Sequence, residues 1–176
     1  GAVLGKITIT DVNPSHLDSV LLKLSEVGSK IEKKSNSITI EPGQLKAVDL
    51  TTAVYPGFAT DLQAQWVALM SIAEGSSKVT DTVYHDRFSH IPELNRFGAN
   101  IKVDNNTAYI RGVDELIGAP VMSTDIRASA SLIIAGLMAR GETTVSRVYH
   151  IDRGYERIEA KFSALGAKIL RENKSG

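Results

Sequence analysis

The chain has 176 residues, of which 43% are hydrophobic and 23% charged, ordinary globular proportions for one domain or for one lobe of something larger. Twenty basic side chains balance twenty acidic ones, which removes the long-range pull towards phosphate backbones and anionic membranes, and aromatic residues at 6% give no stacking platform for single-stranded nucleic acid. There is no cysteine, so disulfides, thiolate zinc sites and cysteine nucleophiles are excluded within the chain. No apolar run approaches the roughly 18 residues of a membrane span, and residues 1–5, expected to run straight into a strand, show no leader peptide. A soluble, cytoplasmic protein without a metal is the expectation.

In chain order the elements follow a repeat of about 70 residues. A strand at 6–12 precedes a helix in which Leu17, Val20, Leu21 and Leu24 recur at helical spacing, and Gly28 ends that helix in a left-handed cap. Ile31 begins the next strand, and after a turn at Ser35-Asn36 come the strands Ser37-Ile38-Thr39-Ile40 and 47–51. Thr60-Asp61-Leu62-Gln63-Ala64 then opens an apolar helix that ends at Gly75. The second unit repeats the order: a strand at 78–84, a helix ending at Gly98, Ile101, a turn at Asn105-Asn106, Thr107-Ala108-Tyr109-Ile110, a strand at 119–122, and Thr124-Asp125-Ile126-Arg127-Ala128 opening a helix that ends at Gly141. The third offers a strand at 143–149, a helix carrying Tyr155, Ile158, Phe162 and Leu165, then Gly166 and a strand at Ile169, and stops near Glu172 before a polar, frayed tail at 173–176. The expected architecture is α/β: one lobe over 1–176 with pseudo-threefold symmetry, built of β-α-β-β-α repeats at 5–75, 76–141 and 142–172, the third incomplete. Its missing half lies outside this sequence or is dispensable. Such units bury their faces only by packing on one another.

Chemistry-bearing residues gather in three places. Asp61 follows a Pro56-Gly57 turn and has two roles open to it: capping the helix that begins near Leu62, or accepting a proton from a substrate hydroxyl, the latter requiring a pKa lifted towards neutrality. Local sequence favours the cap, because Asp125 occupies the equivalent place in the next unit. Arg87, Arg127 and Arg153 form the second group, with Arg87 and Arg153 in equivalent strand-to-helix connections. They are either a converging rim that takes carboxylate or phosphate in forked hydrogen bonds, or surface partners of Asp86 and Asp152. The histidines are the third. His85 and His90 stand five apart and His150 far off, so no helical metal pair exists and ordinary hydrogen-bonded histidines are expected. No glycine-rich phosphate loop or nucleophile elbow is present.

Four long motifs carry a resemblance. They are Pro56-Gly57-Phe58-Ala59-Thr60-Asp61-Leu62-Gln63-Ala64-Gln65, Asp86-Arg87-Phe88-Ser89-His90-Ile91-Pro92-Glu93-Leu94, Thr124-Asp125-Ile126-Arg127-Ala128-Ser129-Ala130-Ser131-Leu132 and His150-Ile151-Asp152-Arg153-Gly154-Tyr155-Glu156-Arg157-Ile158. In order and in register, they resemble the UDP-N-acetylglucosamine 1-carboxyvinyltransferase family of bacterial enolpyruvyl transferases. The resemblance implies a two-lobed enzyme, each lobe an inside-out α/β barrel of three repeats, closing over UDP-N-acetylglucosamine and phosphoenolpyruvate without metal or redox cofactor. This chain would be the C-terminal lobe, partnered by an N-terminal lobe and by an N-terminal segment that completes the third repeat, and inactive alone. The resemblance further implies that Asp61 is the base for the sugar 3-hydroxyl, that Val83 binds the UDP-sugar through its backbone, and that Arg153 meets phosphoenolpyruvate on closure. Arg87, Asp125 and Arg127 would line the cleft. The family's reactive cysteine loop and catalytic lysine would sit in the other lobe. Two other readings stay open: a non-catalytic binding or structural domain on the same repeat, and a transferase acting on shikimate 3-phosphate.

Overall fold

The computed structural model describes residue 3 and residues 5–172; the expected run of 1–5 into the first strand and the expected tail at 173–176 fall partly or wholly outside the described residues. The elements are β1 (Ile7–Thr10), α1 (Asp18–Glu26), β2 (Lys30–Lys34), β3 (Ser37–Glu41), β4 (Leu50–Thr51) and α2 (Gln63–Met70). The same order returns as β5 (Ser76–Thr80), α3 (Ile91–Arg96), β6 (Asn100–Asp104), β7 (Thr107–Arg111), β8 (Pro120–Met122) and α4 (Ile126–Met138), followed by β9 (Thr144–Ser146), α5 (Tyr149–Asp152) and α6 (Ile158–Ala164). Three sheets result, with strand orders β1-β3-β2, β4-β5-β7-β6 and β8-β9. The β1–β3, β2–β3, β5–β7 and β6–β7 pairs are antiparallel, whereas β4–β5 and β8–β9 are parallel.

Side-chain patterning sets the layers. From Gln63 to Met70 every residue of α2 except Gln65 is buried, and α4 buries seven residues between Ala128 and Ala135. A helix apolar nearly all round has to be central. Accordingly α2 packs against α4, Trp66 meets Phe58 edge-on at 5.4 Å, and the cluster extends to Leu94 and Phe97 below α3. Each such large side chain, fully buried, contributes about 1.5–3 kcal/mol. The antiparallel strands are one-faced by contrast. In β7, Ala108 and Ile110 point into the core while Tyr109 between them faces solvent.

The three expected caps form: Gly28, Gly98 and Gly166 have φ of +104°, +86° and +92°. Beyond two of them the next N–H reaches back five residues, Ser29 to the Leu24 carbonyl and Ala167 to the Phe162 carbonyl, both at 3.0 Å.

Among the expectations about elements that require correction, four have a local reason. The strand expected at 6–12 stops at Thr10, because Asp11 adopts a left-handed conformation (φ +58°). The strand expected at 78–84 stops at Thr80, because the Asp81 carboxylate accepts hydrogen bonds from the N–H groups of Val83 and Tyr84 and turns the chain. The one expected at 143–149 ends at Ser146, where Arg147 is left-handed (φ +58°), and Tyr149 opens a short helix instead. Ile169 does not start a strand. Ile31 and Ile101 extend because Ile40 and Ile110 pair with them, whereas no described strand pairs with 167–172; Ile169 packs against the small cluster that includes Ile133, Ile151 and Ile158 instead.

Candidate functional site

Parallel pairing of β4 with β5 brings the carboxyl ends of two strands side by side, with Thr52 N–H donating to the Thr80 carbonyl at 2.9 Å. The chain then leaves Thr52 through a loop folded by a Gly57 N–H to Val54 carbonyl bond and enters α2 through a 3₁₀ turn at Thr60–Leu62. From the other strand it passes Asp81 towards Arg87 and α3. The N-terminus of α4 packs alongside. Asp61, Arg87, Asp125 and Arg127 thereby reach one small region from three separate stretches of sequence.

Asp61 does not cap α2: the residue in the capping place before the turn is Ala59, and no side chain hydrogen-bonds the free N–H groups there. The capping role falls to Asp125 alone. Its Oδ1 accepts from Arg127 N–H at 2.8 Å and Ala128 N–H at 3.1 Å, and its other oxygen takes the Ser89 hydroxyl at 3.3 Å. Asp61 instead holds two arginines on a single oxygen, Arg127 Nε at 2.6 Å and Arg87 Nη1 at 3.0 Å. These bonds, Arg127's first, outweigh partial desolvation and hold the Asp61 carboxyl below the usual carboxylate range. The lift towards neutrality expected of a base is therefore overturned in this arrangement. At neutral pH Asp61 is an ion-paired carboxylate.

The surface ion pairs expected within the arginine motifs are also overturned. Arg87 turns from Asp86 to Asp61, donates further to Thr60 Oγ1 at 3.2 Å, and lies 3.6 Å over the Tyr84 ring. Asp152 is claimed by Arg171 in a bidentate pair at 2.7 and 2.9 Å, which leaves the exposed Arg153 guanidinium with no hydrogen bond or ion pair among the described residues. Arg153 stands next to Gly154, whose Cα faces the tip of Ile126 at the start of α4, so it neighbours the cluster without joining it. Val83 sits in the turn after β5 with its N–H held by Asp81 at 2.9 Å.

A cavity of about 230 Å³ is lined by Gln63, Arg87, Ser89, His90, Asp125 and Arg127. A larger, shallow depression of about 470 Å³ on the outer face of β5, β6 and β7 contains none of these residues. His90 corrects the expectation of a hydrogen-bonded histidine. It is 2% exposed, its Nε2 has no partner among the described residues, and burial pushes its pKa down to about 4 against the opposing pull of Asp125. Among the described residues no group of three or more His, Asp or Glu side chains is placed to hold a metal ion, and no helix is long and apolar enough to cross a membrane.

One residue of the region escaped the sequence reading. Asp81 is 0% exposed, and its carboxylate accepts from Thr52 Oγ1 at 2.8 Å, Thr60 Oγ1, Val83 N–H at 2.9 Å and Tyr84 N–H at 3.0 Å. Burial alone would raise its pKa, but the bonds from Thr60, Tyr84, Thr52 and Val83 together bring it below the usual range. In the sequence it stood inside the strand expected at 78–84, where nothing set it apart.

The family model described as EPSP synthase (3-phosphoshikimate 1-carboxyvinyltransferase) matches residues 1–162. Curated relatives named UDP-N-acetylglucosamine 1-carboxyvinyltransferase include one from Chlorobium luteolum, 55% identical over 97% of this chain and 41% of its own length, and one from Bdellovibrio bacteriovorus, 54% identical over 95% and 41%. The chain thus spans about two fifths of the length of the curated relatives it matches. Among solved structures, the enolpyruvyl transferase NikO from Streptomyces tendae is 28% identical with a TM-score of 0.85, over 97% of this chain and 41% of that one. EPSP synthase from Acinetobacter baumannii, 20% identical over 82% and 36% with a TM-score of 0.62, shares the fold. A family pattern running through nearly the whole chain, on a mixed α/β architecture found in enolpyruvyl transferases, makes this chain a member of the EPSP synthase (3-phosphoshikimate 1-carboxyvinyltransferase) family.

Proposed function

We propose that this chain is the C-terminal lobe of a bacterial, cytoplasmic enzyme that transfers the enolpyruvyl group of phosphoenolpyruvate to the 3-hydroxyl of UDP-N-acetylglucosamine, the step that commits this sugar to peptidoglycan. In this reading the lobe is an inside-out α/β barrel of repeats 5–75, 76–141 and 142–172. An N-terminal segment of the full polypeptide completes the third repeat, and an N-terminal lobe supplies the other wall of the cleft. The observation that carries the reading is the Asp61–Arg127–Arg87 cluster, a carboxylate held by two guanidiniums at the junction of two units.

The chemistry asks for both charges. The sugar hydroxyl adds to C2 of phosphoenolpyruvate as C3 gains a proton, giving a tetrahedral ketal, and loss of phosphate together with a proton from C3 leaves the enolpyruvyl ether. A carboxylate takes the hydroxyl proton, and fixed cations hold the substrate's carboxylate and the departing phosphate. Asp61, silenced by its arginines in this arrangement, becomes the base when those arginines turn to the incoming anion, since each hydrogen bond they withdraw raises its basicity. Arg153, unpaired among the described residues and next to Gly154 beside the start of α4, is the further cation that meets phosphoenolpyruvate on closure. Val83 meets the UDP-sugar through its carbonyl, its N–H being held by Asp81. Asp125 orders Arg127 by capping α4.

The test is phosphate release from phosphoenolpyruvate with UDP-N-acetylglucosamine or shikimate 3-phosphate as acceptor. The full polypeptide is expected to turn over with the UDP-sugar alone and the isolated chain with neither, because alignment of reactants between two lobes supplies about 7–11 kcal/mol of the barrier reduction. Adding the N-terminal lobe in trans restores some turnover. Turnover with shikimate 3-phosphate, or enzyme-like rates from the isolated chain, overturns the reading.

A further inference from the structure

The geometry points to Asp81 as a positioning residue for the Arg87–Asp61 pair, acting through Thr60 and Tyr84; the inference rests on the proposed transferase reading for its effect on turnover. Asp81 itself is fully buried and touches no ligand space. Its main chain is pinned on both sides by Asn106, whose carbonyl takes the Asp81 N–H at 2.9 Å and whose Nδ2 donates to the Asp81 carbonyl at 3.0 Å. From that fixed point the carboxylate ties together the end of β4 (Thr52), the turn before α2 (Thr60) and the loop after β5 (Val83, Tyr84).

Two of those ties converge on Arg87. Thr60 Oγ1 has one proton, and it goes to Asp81, so the lone pairs of Thr60 are turned to accept Arg87 Nη1 at 3.2 Å. Tyr84, whose N–H Asp81 holds, places its ring 3.6 Å from the same guanidinium. Arg87 thus meets an acceptor and a stacking face that are both set by one carboxylate, and its remaining reach goes to Asp61, the residue after Thr60. The device is not a feature of every unit. Ser146 corresponds to Thr80 in strand pairing, so Arg147 corresponds to Asp81; Ser123, the counterpart of Thr52, bonds Ser129 and the Asp125 carbonyl rather than an acid. In the first unit the register puts Asp11 in the place of Asp81, but Asp11 is exposed; among the described residues the buried carboxylate stands at the junction that carries Asp61 and Arg87.

The experiment uses the full polypeptide and three substitutions. Asp81→Asn keeps the shape, but an amide N–H facing Thr60 forces the hydroxyl proton towards Arg87, setting donor against donor. Thr60→Val deletes the link from a part-buried position with little change in volume, and Thr60→Ser keeps the hydroxyl. Asp81→Asn and Thr60→Val are expected to lower kcat about 10- to 100-fold, in the range of a misplaced reactive group, with KM for both substrates within about twofold. Carboxyl NMR of aspartate-labelled protein, with the Asp61 signal assigned by its loss in Asp61→Asn, is expected to show Asp61 titrating at higher pH in both variants. Thr60→Ser is expected to recover both properties relative to Thr60→Val. The proposal is overturned if the folded variants titrate Asp61 as wild type does, or if turnover falls only with the folded fraction. The Asp61 titration needs no substrate, so it decides the positioning role even where wild-type protein fails to use the UDP-sugar.

Discussion

Arg127 Nε donates to Asp61 Oδ1 at 2.6 Å across 66 residues of sequence, joining the N-terminus of α4 to the turn that enters α2. The Asp61 side chain is 66% exposed, so the pair adds little to stability, about 0–1 kcal/mol for pairs of this kind. Asp61→Asn in the full polypeptide should therefore melt within a few degrees of wild type. Loss of a general base costs about 10²- to 10⁴-fold in rate, and turnover should fall by that much with UDP-sugar affinity only modestly changed. Steady-state kinetics beside a thermal melt checks both halves. Near-wild-type turnover would reduce Asp61 to an ion-pair partner.

Asp125, in the equivalent place of the next unit, should behave in the opposite way. Asp125→Ala leaves the Arg127 and Ala128 N–H groups of α4 without their acceptor, at a cost of about 0.5–2 kcal/mol, while Asn at the same position nearly matches Asp as a cap. Asp61→Ala has no cap to lose. Denaturant unfolding of the four variants should destabilise Asp125→Ala alone; equal losses at the two aspartates would return them to a shared architectural role.

The difference between those two aspartates marks where sequence reading stops. The repeat was legible because each unit spells it locally: a glycine that must be left-handed, an isoleucine after it, and a threonine-aspartate pair before an apolar helix. Asp61 and Asp125 are alike at that level. What separates them is the longer loop through Val54 and Gly57, which sets Thr60–Leu62 in a 3₁₀ turn, and the arrival of Arg87 and Arg127 from elsewhere in the chain. Asp81 was invisible for the same reason. An acid inside an expected strand gives no sign that it turns the chain, and its other two donors, Thr52 and Thr60, lie 29 and 21 residues away. The early ends of β5 and β9 depend on such side-chain and backbone details, which alternation of apolar residues does not encode.

Two glycines let close approaches be compared. A Cβ on Gly154 would lie 2.3 Å from Ile126 Cδ1, the movable end of a side chain, whereas one on Gly112 would lie 1.7 Å from the Ala73 carbonyl oxygen, fixed backbone in the core of the fold. Gly154→Ala is expected to fold with a loss of about 1–3 kcal/mol, typical of overpacking. Because Ile126 stands between Asp125 and Arg127, it should also lower turnover by more than the stability loss explains. Gly112→Ala should fail to fold or lose substantially more stability. Melting curves and kcat for the pair decide it, and a Gly112→Ala protein as stable as Gly154→Ala would contradict the packing described here.

His90 predicts a dependence of stability on pH with a definite sign. Buried beside Asp125 at the back of the cavity, it stays neutral in the folded protein down to about pH 4, while in the unfolded chain it takes up a proton near its ordinary value of 6.5. Between those values the unfolded state binds more protons, so stability falls as pH drops from about 6.5 to about 4, by about 3 kcal/mol over the whole window, and is fully present above it. Asp81 and Asp125, whose folded pKa values are depressed, lose their contribution only at more acid pH, as the medium falls through those depressed values, so the two effects separate along the pH axis. His90→Gln carries no titrating group. Whatever its stability at pH 7.5, its loss between pH 7.5 and pH 5 should be smaller than that of wild type by about 2 kcal/mol, the share of the window that lies above pH 5. Urea unfolding at the two pH values measures the difference. Identical losses for wild type and His90→Gln would mean that the buried ring is protonated in the folded protein after all, with its charge carried by Asp125.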